Sequence, residues 1–223
     1  MHRLTNRLID YCKKNFDLDG DIVSSYSSIS VCLIDCVYSL RAKYYAVTIP
    51  IVDRYAECYM EGDRNRAGDT TSNLLEHMET FGGPEKFADT ILRNHQELGG
   101  RAHIAKEKVL FQLASYLKLL HIETVEDFRN FESPELLEIV IRAVKGLGDA
   151  GANYLFMLAG DPNRCKPDVH IHHCIRDACG EDVTNEECQR LFQEAVSVLK
   201  KEYPTLTVRR LDSVVWRSYQ AGK

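Results

Sequence analysis

The chain has 223 residues, enough for one globular unit or for two small lobes that share a core. It is 44% hydrophobic and 27% charged, the balance of a soluble folded protein, and no stretch approaches the roughly 20 apolar residues that a membrane span requires. A formal net charge of −5 argues against a broadly basic nucleic-acid-binding surface, although a phosphate responds to the local field at its own groove.

Apolar residues recur at three-to-four spacing and alternating β-branched runs are scarce, so the expected fold is all-α. Met1-His2-Arg3-Leu4-Thr5-Asn6-Arg7 has neither the apolar stretch nor the small-residue cleavage site of a signal peptide, and an intracellular protein is expected. A first helix covers about 3–16 and stops at the turn-rich Asp17-Leu18-Asp19-Gly20. The segment 26–60 carries Ile29, Val31, Leu33, Ile34, Val37, Leu40 and Tyr44 toward a core, and Pro50 is expected to divide it into two helices. A polar stretch, Glu61–Thr71, precedes Leu74, Leu75, Met78 and Phe81 at helical spacing, and Gly82-Gly83 closes that helix. Pro84 opens another, to about Asn94, followed by a loop around His95–Gly100. A helix is expected over 102–119, with Ala105, Val109, Leu110, Leu113, Tyr116 and Leu117 on one face. Thr124 caps a short helix, and Ser133-Pro134-Glu135 reads as cap, first turn and acidic start of a helix ending at Val144.

Eight cysteines lie mostly within apolar helical stretches, where a thiol acts as a small core hydrophobe. There is no C-x-x-C, and the gaps between Cys165, Cys174, Cys179 and Cys188 are too uneven for a zinc ribbon. His170, His172, His173 and Cys174 form a second cluster, with 170, 173 and 174 on one helical face. It reads either as a metal site or, preferably, as one phosphate-facing histidine with partly buried neighbours, and no metal or cofactor is expected.

The most informative stretch is Val144-Lys145-Gly146-Leu147-Gly148-Asp149-Ala150-Gly151-Ala152-Asn153. One helix ends at Val144 and another starts near Asp149. The two glycines permit positive φ and close backbone approach, and Leu147 plugs the joint. The outward N–H groups of Gly146 and Gly148, with the next helix N-terminus, suit a phosphate oxygen, although a Gly-x-Gly can equally be a tight αα corner. About twenty residues later Pro167-Asp168-Val169-His170 opens a further helix. Asp168 is a good N-cap there, and the same position orients a carboxylate and favours its negative charge.

Together these residues resemble the HhH-GPD superfamily of base-excision DNA glycosylases. Gly146-Leu147-Gly148 with Ala152-Asn153 is similar to the hairpin of endonuclease III and the 3-methyladenine glycosylases. Cys165-Lys166-Pro167-Asp168-Val169-His170-Ile171-His172-His173 is most like the 8-oxoguanine glycosylase version. The specific match covers about 144–175, and a weaker match in helix order extends over 30–223.

The resemblance implies a bilobal helical fold. Residues 31–164 would form a helical barrel domain containing the helix-hairpin-helix, and 1–30 with 165–223 a second lobe, Leu211–Trp216 supplying its closing helix. Double-stranded DNA would lie across a cleft, its target base flipped out. The hairpin residues Lys145, Gly146, Gly148 and Ala150 would contact the DNA, with His170 near a backbone phosphate. Asp168 would stabilise the oxocarbenium-like sugar, or orient water, as the N-glycosidic bond breaks.

Departures from the family refine this. Bifunctional members carry a nucleophilic lysine where this chain has Ala150, so Schiff-base lyase chemistry from that position is absent. Lys145 replaces the common hairpin proline, and the iron–sulfur spacing of endonuclease III is missing. Where many relatives have a Gln-rich segment, this chain has Tyr38–Tyr45. There Arg41, Lys43, Tyr44 and Tyr45 form either a base-stacking surface or a helix face with exposed cations and buried tyrosines. Trp216 and Tyr219 read as packing anchors. The resemblance thus implies a monofunctional DNA glycosylase acting on double-stranded DNA, cytoplasmic or nucleoid-associated (nuclear in a eukaryote), with no membrane and no obligate protein partner expected. The alternative is a catalytically idle DNA- or partner-binding module of the same fold.

Overall fold

A computed structural model of the chain describes residues 2–20, 25–98 and 103–221. It is mostly α-helical, and its only strands among the described residues are β1 (Glu97–Leu98) and β2 (Ile104–Ala105), a short antiparallel ladder. The expected loop residues 99–100 and the expected helix start at 102 lie outside the described residues. No described helix is long and apolar enough to cross a membrane. The chain forms two compact units, Ser25–Gly160, and Met1–Ser24 with Asp161–Lys223.

The Ser25–Gly160 unit is built around α2 (Ile29–Tyr38), all ten of whose residues are buried. Ile-Ser-Val-Cys-Leu-Ile-Asp-Cys-Val-Tyr is apolar on every face, the pattern of a helix surrounded by others. Ser28 caps it by accepting from the Val31 N–H at 3.2 Å. Against α2 pack α3 (Ile49–Tyr59), α4 (Thr71–Thr80), α6 (Lys106–Leu119) and α9 (Gly148–Leu158). The break before α3 comes earlier than Pro50. The chain leaves α2 at Ser39, passes through Arg41 at φ 52°, and makes a π-helical turn over Tyr44–Thr48. Pro50 sits in the first turn of α3, where its missing N–H has no helical partner to lose. A second π-helical turn, Ala88–Leu92, extends α5 (Pro84–Phe87) and ends at Arg93 in the left-handed region.

Two short helices start as their caps dictate. Thr124 and Asp127 form a capping box for α7 (Val125–Arg129), and Ser133 caps α8 (Pro134–Arg142).

The other unit joins α1 (His2–Asn15) to α10 (Val169–Cys179), α11 (Asn185–Leu199) and α12 (Val208–Ala221). Leu8, Cys12, Ile171, Cys174, Phe192 and Leu211 are at the centre of its core. Polar bonds secure α1 over long sequence distances. The Thr5 hydroxyl donates to Glu194, Arg7 donates to the Cys179 carbonyl at 2.8 Å, and the Tyr11 and Tyr219 hydroxyls meet at 3.0 Å. All eight cysteines are free thiols, seven of them buried.

Candidate functional site

The hairpin joins α8, which ends at Arg142, to α9, which begins at Gly148. Gly146 (φ 97°) and Gly148 (φ 65°) both occupy the left-handed region. They serve different ends. A Cβ on Gly146 would lie 2.8 Å from Leu98 Cδ1 and 3.5 Å from Val109 Cγ2, so this glycine lets the hairpin pack against the β-ladder and α6. Its close approach is to its own chain, whereas a Cβ on Gly148 would meet nothing within 4 Å. Leu147 is buried as the plug, and its side chain rests on Gly151, where a Cβ would fall 2.9 Å from it.

Lys145, Gly146, Gly148 and Asp149 are exposed, and Ala150 is half-buried. The N-cap of α9 is Leu147, which makes no side-chain cap hydrogen bond. Arg142 pairs with Glu138 at 2.8 Å and also with Asp149, placing an acidic group beside the hairpin.

Asp168 is the N-cap of α10. Its Oδ1 accepts from the His170 N–H at 2.9 Å and the Ile171 N–H at 3.2 Å, so the half-buried carboxylate is fixed by one of its two oxygens. The approach to it is held residue by residue. The Pro162 carbonyl accepts from the Arg209 N–H at 3.1 Å. The Asn163 carbonyl accepts from Gln189 at 2.7 Å and Gln193 at 3.1 Å. The Cys165 N–H donates to Gln189 Oε1 at 2.9 Å, and the Lys166 N–H to Asp212 Oδ1 at 2.7 Å.

Asp212 is buried. Burial first, then the nearby Asp168 charge, push its carboxyl up to about 8, against the lowering effects of the Lys166 N–H and the Lys166 and Arg209 charges.

His170 is half-buried, with its ring edge-on to Trp216 at 6.2 Å between centroids. Its Nδ1 is buried without a hydrogen-bond partner among the described residues. His172 turns elsewhere, with Nε2 2.9 Å from Asn185 Oδ1 and Nδ1 3.5 Å from Cys188 Sγ. Burial pushes the Cys188 thiol up to about 12, and a hydrogen bond with Cys12, then burial, raises that of Cys174. Among the described residues no three His, Cys, Asp or Glu side chains converge as a metal site would need.

Residues 41–45 do not form a regular helix face, since Arg41 has a positive φ and a π-helical turn begins at Tyr44. Arg41 and Lys43 are exposed, and Tyr45 stands 62% exposed, edge-on to Tyr44 at 5.5 Å. Tyr44 turns inward, because its hydroxyl donates to Asp35 Oδ2 at 2.8 Å. Tyr26 donates to the same oxygen at 2.8 Å and Tyr154 to Asp35 Oδ1 at 3.0 Å, so one buried carboxylate on α2 gathers three phenols.

Lys145, Gly146, Gly148 and Ala150 therefore lie together in the Ser25–Gly160 unit, and Asp168 and His170 lie together in the other. A family model for a domain of unknown function (DUF8548) matches residues 6–220. The chain belongs to that family. No curated protein and no solved structure matches it.

In this DUF8548 chain two acidic residues escaped sequence reasoning. Asp35 and Asp212 are single carboxylates on otherwise buried helix faces, flanked by Ile34 and Cys36 and by Leu211 and Ser213. An acid at a core position of the helical repeat is the signal that could have found both.

Proposed function

We propose that this DUF8548 protein is a monofunctional DNA glycosylase of the HhH-GPD type, acting on double-stranded DNA in the cytoplasm, on the nucleoid, or in the nucleus of a eukaryote. The observation that carries this reading is Asp168, a half-buried carboxylate immobilised at the start of α10 by two backbone N–H groups. The hairpin supports it, since Lys145, Gly146 and Gly148 are exposed at the start of α9, where a cation and backbone N–H groups suit a phosphate oxygen.

On this reading the C1′–N bond breaks with its electron pair leaving on the base. Asp168 stabilises the positive charge that develops on the sugar, and water delivers hydroxide to C1′ while its proton passes to the departing base or to solvent. Ala150 supplies no amine, so no Schiff base forms at that position and the strand stays intact.

The test is a panel of duplexes, each with one modified base (8-oxoguanine, uracil, hypoxanthine or 7-methylguanine), treated with alkali after incubation. Wild-type protein should generate alkali-labile sites on at least one duplex. Asp168→Asn should bind that duplex with similar affinity and lose roughly 10²–10³-fold in base release, the range seen when one group stabilising transition-state charge is removed.

A second reading is a catalytically idle DNA- or partner-binding module, favoured by Asp149 and Glu138 around Arg142 and by the net charge of −5. It predicts salt-sensitive duplex binding with no base release from any member of the panel. Absence of binding even at low salt would remove both readings.

A further inference from the structure

We propose that Asp212 is a positioning residue for Asp168, holding the Cys165–Asp168 turn and through it the carboxylate that caps α10. Asp212 lies in the first turns of α12, on the face that also buries Val208, Leu211 and Val215, so it projects into the core of its unit. There its Oδ1 accepts the Lys166 N–H at 2.7 Å. The carbonyl of the same Lys166 accepts the Asp168 N–H at 2.6 Å. Residue 166 is therefore held at its N–H by Asp212 and at its C=O by Asp168. Only Pro167 separates it from Asp168, and the proline ring fixes φ near −65°, leaving the connection few ways to relax. A displacement of Asp212 reaches the Asp168 side chain through one stiff residue.

Burial favours the neutral form of Asp212. Asp168 from α10 raises its proton affinity. Lys166 from the turn and Arg209 from α12 lower it, and the buried Cys165 thiol in turn feels the Asp212 charge. Arg210 is directed away, donating to Thr205 Oγ1 at 2.7 Å and to the Gly20 carbonyl. On α11, Gln189 and Cys188 face the same turn. Below pH about 8 Asp212 keeps its proton, and above it a buried negative charge forms beside the half-buried Asp168. Asparagine retains the carbonyl acceptor without the ionisation, so Asp212→Asn separates the two roles.

The experiment compares wild type, Asp212→Asn and Asp212→Ala by hydrogen exchange at the His170 and Ile171 amides, the two groups that Asp168 caps. Their exchange is corrected for intrinsic rates between pH 6 and 9. Asp212→Ala should speed exchange at both amides at least about fivefold, the factor corresponding to a lost cap. Asp212→Asn should stay within about twofold of wild type at pH 7. Wild-type protection should fall above pH about 8, and that of Asp212→Asn should not.

Unchanged exchange in Asp212→Ala overturns the proposal, as does an identical pH profile in wild type and Asp212→Asn. If Asp212→Ala does not fold, that pH comparison decides alone. The catalytic consequence rests on the glycosylase reading. Base release by wild type should lose its alkaline limb in Asp212→Asn. A wild type with no base release defeats that reading, while the exchange data still decide the role of Asp212.

Discussion

Asp168 combines a structural and a proposed chemical duty, and substitutions distinguish them. Replacing it with alanine removes the acceptor for two N–H groups and should destabilise the protein by about 1 kcal/mol. Asparagine caps nearly as well, so Asp168→Asn should leave the thermal midpoint within about a degree or two of wild type while removing the carboxylate. A midpoint loss in Asp168→Asn as large as in Asp168→Ala would show that the cap depends on charge. The cap was legible in the sequence because capping is local, a rule written within four consecutive residues. Asp212 was not legible, since the N–H it holds is 46 residues away and only packing of α12 against the turn unites them. Asp35 was hidden in the same way, its third phenol lying 119 residues away on α9.

Within the hairpin the two glycines should respond differently to alanine. Gly146→Ala must push a methyl against Leu98 and also hold a positive φ, which should cost about 2–4 kcal/mol. Gly148→Ala meets only the backbone term, about 1 kcal/mol, because its Cβ would enter open space. Chemical denaturation of both variants checks the order, and equal losses would contradict it. The Gly-x-Gly pattern announced the turn, and the partner that makes Gly146 obligatory was not visible, because a two-residue strand pair has too little alternation to register as period two. The π-helical turns at 44–48 and 88–92 were likewise concealed, since their sequences carry the same apolar spacing as the helices they adjoin. Helices with side-chain caps, such as α7 and α8, began where the sequence placed them.

For the whole molecule, the raised Asp212 carboxyl fixes the sign of one pH effect. Its folded value, about 8, lies above the ordinary carboxylate range, so the folded state binds the proton more tightly than the unfolded chain. The stability it contributes is complete below pH about 4 and is lost progressively as pH rises to about 8. Asp127 and Glu187 work in the opposite direction. Cap bonds lower both, so their contribution is present at neutral pH and lost in acid. Burial lowers the His77 imidazole, which adds stability as pH rises through the same interval, so the Asp212 contribution is read as a difference. Between pH 5 and 8 the wild-type thermal midpoint should fall relative to that of Asp212→Asn, and a difference that does not change with pH would contradict the assignment. The α1 contacts add a topological expectation. Because Ser25–Gly160 is continuous in sequence whereas the other unit needs both chain ends, a 25–160 fragment should retain helical circular dichroism and cooperative melting. Deletion of residues 2–15 should unfold the remainder of the other unit.

The distribution of thiols makes the chain its own unfolding gauge. Cys58, in the last turn of α3, is exposed, and the other seven cysteines are buried. A maleimide should therefore attach once to the native protein, at a defined place for a fluorophore. Each further adduct, read by mass, would count a segment that has opened: Cys32 and Cys36 report on α2, and Cys12 and Cys174 on the pairing of α1 with α10.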